Sequence, residues 1–188
     1  METRKYKIRL LTEMLGTVTK DPEVYRTYIE SKKPEDIEEE EYLTVEKTEQ
    51  KGWTGFHKDD NGLFIYDYMI KGFLKNAGNV LKEAQKVKAL RSKLDNFLFV
   101  FPRRIYLGQD GPDGVIERPL RAMTMKGPRV SLARSDYIKD GKEIEFEIKL
   151  LPHKELTWKL IDSLLEYGEL MGLGQFRNGS YGRFEVVK

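Results

Sequence analysis

The chain has no cysteine and only two histidines and two tryptophans in 188 residues. Without thiols, disulfide scaffolds, cysteine nucleophiles, iron-sulfur clusters and thiolate zinc sites are all excluded, and a reducing compartment suits the composition. The two histidines, His57 and His153, form no His-x-x-x-His pair, and no Gly-x-Ser-x-Gly elbow is present, so neither a metal nor a cofactor is expected. Long apolar runs are missing as well. No stretch approaches the roughly 20 residues a membrane helix needs, and Met1-Glu2-Thr3-Arg4-Lys5 leads into alternating residues rather than an apolar leader. A soluble, cytoplasmic protein with no membrane partner is the expectation. Excess charge is absent too: 33 Lys and Arg stand against 31 Asp and Glu, a net of +2, which by itself announces no polyanionic partner.

That small total hides a strong segregation. Residues 21–60 carry thirteen acids and six bases, a local net of −7, with Glu38-Glu39-Glu40-Glu41 at the centre. Residues 102–134 carry seven bases and three acids, a local net of +4, and six of the seven are arginine, the side chain suited to bidentate phosphate contact. Turn signals at Gly108, Gly111-Pro112, Gly114 and Gly127-Pro128 make this second segment an arginine-rich insertion at about 102–130. The acidic segment is a second insertion at about 17–62. Each has two readings: a solvated surface, or a docking element for nucleic acid (basic) or for a basic partner (acidic).

Period-two alternation predicts strands at Tyr6-Ile8-Leu10 and at Ile144-Phe146-Ile148-Leu150. The apolar run Phe97–Phe101, stopped by Pro102, reads as a strand covered on both faces. Ile65, Met69, Phe73, Ala77, Leu81 and Ala84 recur at helical spacing and predict one long helix from about Phe64 to Ala89, with Lys71, Lys75, Lys82 and Lys86 on another face. Leu156, Leu160, Ile161, Leu164 and Leu165 predict a second helix, and Tyr181–Val187 a last strand. Arg129 to Ile138 is a further strand candidate. The resulting order is that of an α+β, ferredoxin-like βαββαβ core with an antiparallel sheet, a single domain over 1–188. In that topology the first and third core strands are neighbours, so Lys5, Lys7 and Arg9 oppose Glu143, Glu145 and Glu147. The open sheet face is then self-neutralised, and it lacks stacking aromatics.

The most specific motif is Gly172-Leu173-Gly174-Gln175-Phe176-Arg177-Asn178-Gly179-Ser180-Tyr181-Gly182-Arg183. Its glycines permit positive φ and close backbone approach. It follows a helix and enters a strand, so it is no Rossmann or Walker loop, which have the opposite placement. With the early strand Ile8-Arg9-Leu10-Leu11-Thr12 and the segment Ile70-Lys71-Gly72-Phe73-Leu74-Lys75, this loop resembles the RAMP superfamily, the ferredoxin-like RNA-binding proteins of CRISPR systems. Where that family usually carries Pro-Gly-Ser-Ser, this chain has Tyr66-Asp67-Tyr68-Met69. The general pattern also resembles phage and prophage proteins.

The resemblance implies a non-catalytic backbone-type subunit that binds single-stranded RNA, or DNA, through phosphate and sugar, in company with CRISPR effector subunits or with copies of itself. The residues it points to are Gly174, Arg177, Gly179, Gly182 and Arg183 in the loop, Lys71 and Lys75 at the helix start, and Arg103, Arg104, Arg121 and Arg129 in the basic insertion. Such contacts add salt dependence rather than sequence choice. Two alternatives stay open. The acidic insertion suits a phage-encoded interaction protein of anti-CRISPR type, acting by subunit or nucleic-acid mimicry. His57 suits a metal-independent endoribonuclease if it deprotonates a 2′-hydroxyl. Asp21, in an early loop, matches the place where some family members carry a metal-assisting acid, and His153 reads as a helix-terminal surface residue.

Overall fold

The computed structural model describes residues 2–20, 53–124 and 127–187. The centre of the acidic insertion, including Asp21 and Glu38 to Glu41, therefore lies outside the described residues. In chain order the elements are β1 (Glu2–Leu10), β2 (Met14–Leu15), β3 (Val18–Thr19), β4 (Trp53–Gly55), β5 (His57–Asp59), β6 (Gly62–Tyr66), α1 (Asp67–Leu81), α2 (Leu90–Phe97), β7 (Leu98–Phe101), β8 (Arg104–Tyr106), β9 (Gly114–Thr124), β10 (Gly127–Ile138), β11 (Glu143–Leu150), α3 (Trp158–Glu166) and β12 (Phe184–Val187). Among the described residues no helix is long and apolar enough to cross a membrane.

The principal sheet has four strands in the order β12-β1-β11-β7. All its pairings are antiparallel, which is the ferredoxin-like arrangement of an α+β protein. Alternation dictates its two faces. Ile8, Leu10, Ile144, Phe146, Ile148, Leu98 and Val100 point inward and are buried against Phe73 and Leu74 of α1 and Ile161, Leu164 and Leu165 of α3. At its start α3 is capped by the Thr157 hydroxyl, which accepts from the Leu160 amide at 3.3 Å. On the open face Lys5 pairs with Glu147, Lys7 with Glu145 and Arg9 with Glu143 in strand register, as the alternation predicted.

Two expectations are corrected here. Phe97–Phe101 is not a strand covered on both faces: β7 is an edge strand whose residues alternate, with Leu98 and Val100 buried and Phe99 and Phe101 about 40% exposed. The open face consequently does carry two aromatic rings, and Lys149 lies 4.4 Å from the Phe101 ring. The long helix expected to reach Ala89 also stops short, at Leu81, and α2 is a separate helix beyond it. Lys86 and Ala89 adopt positive φ between α1 and α2, a conformation that L-residues take singly and that ends a helix. The Leu90/Leu94 spacing then seats α2 on α1, where a side chain at Gly78 would strike both leucines.

The insertions build two smaller sheets. One has β2, β10, β4 and β3, with β9 paired to β10; the other has β5, β6 and β8. β10 contains the strand expected at Arg129 to Ile138 and pairs antiparallel with β9 over its length, with Arg121 opposite Val130 and Arg129 opposite Ala122 on neighbouring rungs.

Candidate nucleic-acid interface

The glycine-rich segment is first a packing device. Leu173 N donates to Gly182 O at 2.8 Å, Gly182 N to Glu13 O at 2.8 Å, and Gln175 N to Leu15 O at 3.2 Å. These bonds pin the segment to the turn after β1 and to β2. Gly174 and Gly182 have φ of +82° and +72°, and a Cβ on either would fall on a backbone carbonyl. Arg183 shares this structural duty: its carbonyl accepts from Leu11 N at 2.7 Å and its amide donates to the Thr12 hydroxyl at 3.0 Å. Its guanidinium donates to the Ser180 hydroxyl at 3.0 Å, while among the described residues its buried Nε has no partner.

Where this segment faces α1, a cleft of about 590 Å³ opens, lined among others by Thr17, Tyr68, Lys75, Asn76, Arg91 and Arg177. The loop and helix candidates Gly174, Arg177 and Lys75 meet here. Lys71 stands one helical turn before Lys75, and both ammonium groups address Asp95, at 3.7 and 2.9 Å. The bond from Lys75, and then the charges of both lysines, hold the Asp95 carboxyl below its ordinary range. These lysines are thus partly neutralised. Among the described residues Arg91 and Arg177 have no ion pair, and no carboxylate lines the cleft. Arg91 escaped the sequence reading because a single helix was drawn to Ala89, although Leu90 and Leu94 four residues apart marked the start of α2.

Arg103 and Arg104 lie elsewhere, Arg104 opening β8 in the sheet of β5, β6 and β8 and Arg103 immediately before it. The Arg103 guanidinium is 5.6 Å from the Tyr66 ring, and Arg104 is 5.2 Å from the Phe64 ring and 2.8 Å from the Asp59 carboxylate. His57 belongs to the same sheet, its imidazole 5.4 Å from Phe64 and 4.6 Å from Tyr66. Burial pushes its pKa below the usual histidine value, so the ring is neutral near pH 7, and it does not line the cleft. His153 packs against Phe97 and accepts from the Glu155 amide at 3.1 Å.

Arg118 was counted in the basic segment but not singled out, and it is the most buried arginine described. It is 7% exposed, donates to the Ser135 hydroxyl at 2.8 Å, and sits 4.5 Å from the Phe176 ring. Ser135 in turn bonds Thr54 and Gln175 at 2.9 and 3.0 Å. This polar row lies under the glycine-rich segment.

No family model and no curated protein matches the sequence. Among solved structures, the fold is similar to a chain of a complex described as the Type III-B Cmr-beta bound to cognate target RNA, solved by cryo-EM. The TM-score is 0.54 at 14% identity, and the match covers 99% of this chain and 58% of that one. The likeness is one of fold, and the present chain spans little more than half the length of that neighbour.

Proposed function

We propose that this protein is a RAMP-like nucleic-acid-binding module that holds the backbone of single-stranded RNA in the cleft between α1 and the glycine-rich segment. The observation that carries this reading is the cleft's charge: Lys75, Arg91 and Arg177 line it, with no carboxylate among the described lining residues. Guanidinium groups without ion partners are preorganised donors for phosphate oxygens. The phosphates would meet Arg91 and Arg177 first, since Lys71 and Lys75 must share Asp95. The ferredoxin-like fold, similar to a chain of an RNA-bound effector complex, supports a place for the module beside CRISPR effector subunits. Arg121 and Arg129, on the β9–β10 hairpin, and Arg103 and Arg104 extend the set of candidate contacts. Contact with phosphate and sugar serves any sequence, so affinity is expected to follow salt rather than base order.

The test is fluorescence anisotropy with a labelled RNA strand, a DNA strand of the same sequence and a duplex, titrated with salt. Tighter binding of the RNA strand, falling steeply with salt, is the expected result. Equal loss-free binding by an Arg91→Ala/Arg177→Ala protein would remove the cleft from the function.

A further inference from the structure

The outward face of the small sheet carries a run of rings. His57 pairs with Phe64, Phe64 with Tyr106, and Tyr66 with Arg104, so period two sets these five side chains on one face, opposite Leu63, Ile65 and Ile105; Phe64, at the middle of that face, is itself buried beneath its neighbours, and the exposed rings are those at the two ends of the run. Their centroids follow one another closely: Tyr106 to Phe64 at 5.8 Å, Phe64 to Tyr66 at 5.2 Å, and Tyr66 to Tyr68 at 5.4 Å, the last pair stacked at 23°. Tyr68, the second residue of α1, also lines the cationic cleft, so the run ends where Arg91 and Arg177 begin. It is exposed by 59% and Tyr106 by 38%. Two exposed guanidinium planes, Arg103 and Arg104, lie over Tyr66 and Phe64.

We infer that this surface is a stacking site for unpaired nucleobases, reached by a strand whose phosphates lie in the adjacent cleft. The inference rests on the RNA-backbone reading above and adds a second class of contact to it. The chemistry fits bases better than an apolar peptide, because the exposed groups are the Tyr68 and Tyr106 rings and the Arg103 and Arg104 guanidinium planes rather than aliphatic side chains, and both kinds stack on a heterocycle. The platform is also held in place. Tyr106 donates its hydroxyl to Asp59 at 2.9 Å while Arg104 donates to the same carboxylate oxygen at 2.8 Å, and the Tyr68 ring lies stacked on Tyr66. A ligand would therefore find rings already oriented, with little ordering left to do.

The experiment compares an oligoadenylate RNA of about 12 nucleotides with an abasic ribose-phosphate strand of equal length, a span within the usual range for single-strand sites. Both carry the same backbone charge. The protein is expected to bind oligoadenylate roughly tenfold more tightly than the abasic strand. Tyr68→Ala should bring the two within about twofold by weakening oligoadenylate alone, and Tyr68→Trp should restore the gap, since a larger π-face stacks at least as well. Arg177→Ala should weaken both strands alike. Equal binding of the two strands by the unaltered protein, or equal weakening of both by Tyr68→Ala, overturns the stacking site and leaves the backbone reading standing. Unchanged binding of both by Tyr68→Ala overturns it too, and returns the patch to a protein partner. Failure to bind either strand overturns both readings.

Discussion

Gly182 and Leu173 meet backbone to backbone: the Leu173 amide donates to the Gly182 carbonyl at 2.8 Å, and a Cβ on Gly182 would land on the Leu173 carbonyl oxygen. The two limbs of the glycine-rich segment are thereby zipped together ahead of β12. The consequence is a division of labour within one motif. Gly172, Gly174 and Gly182 let backbones touch, and Arg177 is left to project into the cleft.

Gly182→Ala should therefore be a folding defect before it is a binding defect. Left-handed backbone at a residue with a Cβ costs roughly 1–2 kcal/mol, and crowding a packed site adds about 1–3 more. A total near 3 kcal/mol lowers the thermal midpoint of a chain this long by about 10 °C. Gly141 has a φ of +77° but open space around it, so Gly141→Ala should show the strain alone, about 1 kcal/mol. Differential scanning calorimetry of the two variants separates the contributions; equal shifts would mean that the Gly182 contact relaxes away.

Arg91→Ala and Arg177→Ala should act in the opposite manner, leaving the thermal midpoint in place and weakening RNA. Each lost charge-assisted bond to phosphate is expected to lower affinity roughly tenfold, and each lost contact to flatten the log–log salt dependence by about 0.7 for a single strand. Lys71→Ala should do less, because its ammonium already serves Asp95 and the Asp95 carbonyl. Anisotropy across a salt series reads affinity and slope together. A double arginine variant with an unchanged slope would exclude both residues as phosphate contacts.

Much of the core was legible because it is written in period two and period 3.6. Tyr6-Ile8-Leu10 and Ile144-Phe146-Ile148 declared two strands, and the ferredoxin-like order made them neighbours with opposed charges. The edge position of β7 was not legible: Phe99 and Phe101 look like core residues, and only the fold shows them about 40% exposed, with Lys71 and Lys149 beside their rings. The break after α1 was hidden for a related reason. Lys86 and Ala89 take left-handed φ without a glycine to advertise it, so the apolar spacing ran on through the turn. Of the site, Arg177 and Lys75 could be nominated from a motif, whereas Arg91, Tyr68 and Arg118 acquire significance only from what the fold places beside them.

Glu143 accepts from Arg9 at 2.8 Å and lies 3.2 Å from Lys7. Those two partners, Arg9 first, hold its carboxyl below the ordinary value of 4.5. The folded state therefore binds fewer protons than the unfolded chain in the acid range. The stabilisation is complete above about pH 4.5 and is lost as pH falls through the lower folded value. Glu143→Gln removes that term and leaves two cations facing a neutral amide. The variant should be less stable than the parent at pH 7, with a gap that closes on acidification and shrinks in high salt. Thermal midpoints followed from neutral pH to about pH 3 test this; a gap that stays constant with pH would show that the amide, not the lost charge, is responsible.

Arg118 poses the sharpest energetic question in the molecule. A cation 93% removed from solvent, which among the described residues has one hydroxyl acceptor, no partner at Nε and no ion pair, rests on the faces of Phe176 and Tyr181. Burial pushes its pKa down from the usual arginine value, the sign of a charge held at a cost. Cation–π attraction repays about 2 kcal/mol in a desolvated setting, less than the several kcal/mol that removal from water costs an ion. Replacing the guanidinium by an apolar chain of similar length should then be neutral or stabilising by about 1 kcal/mol, because Ser135 keeps Thr54 and Gln175 as partners. Arg118→Met is the isosteric test. Arg118→Ala, which also leaves a void beneath Phe176, should cost about 2 kcal/mol or more. Denaturant titration of both variants decides the matter. If Met is as destabilising as Ala, the charge itself stabilises the fold, and the polar row under the glycine-rich segment must compensate the guanidinium more fully than its single hydrogen bond implies.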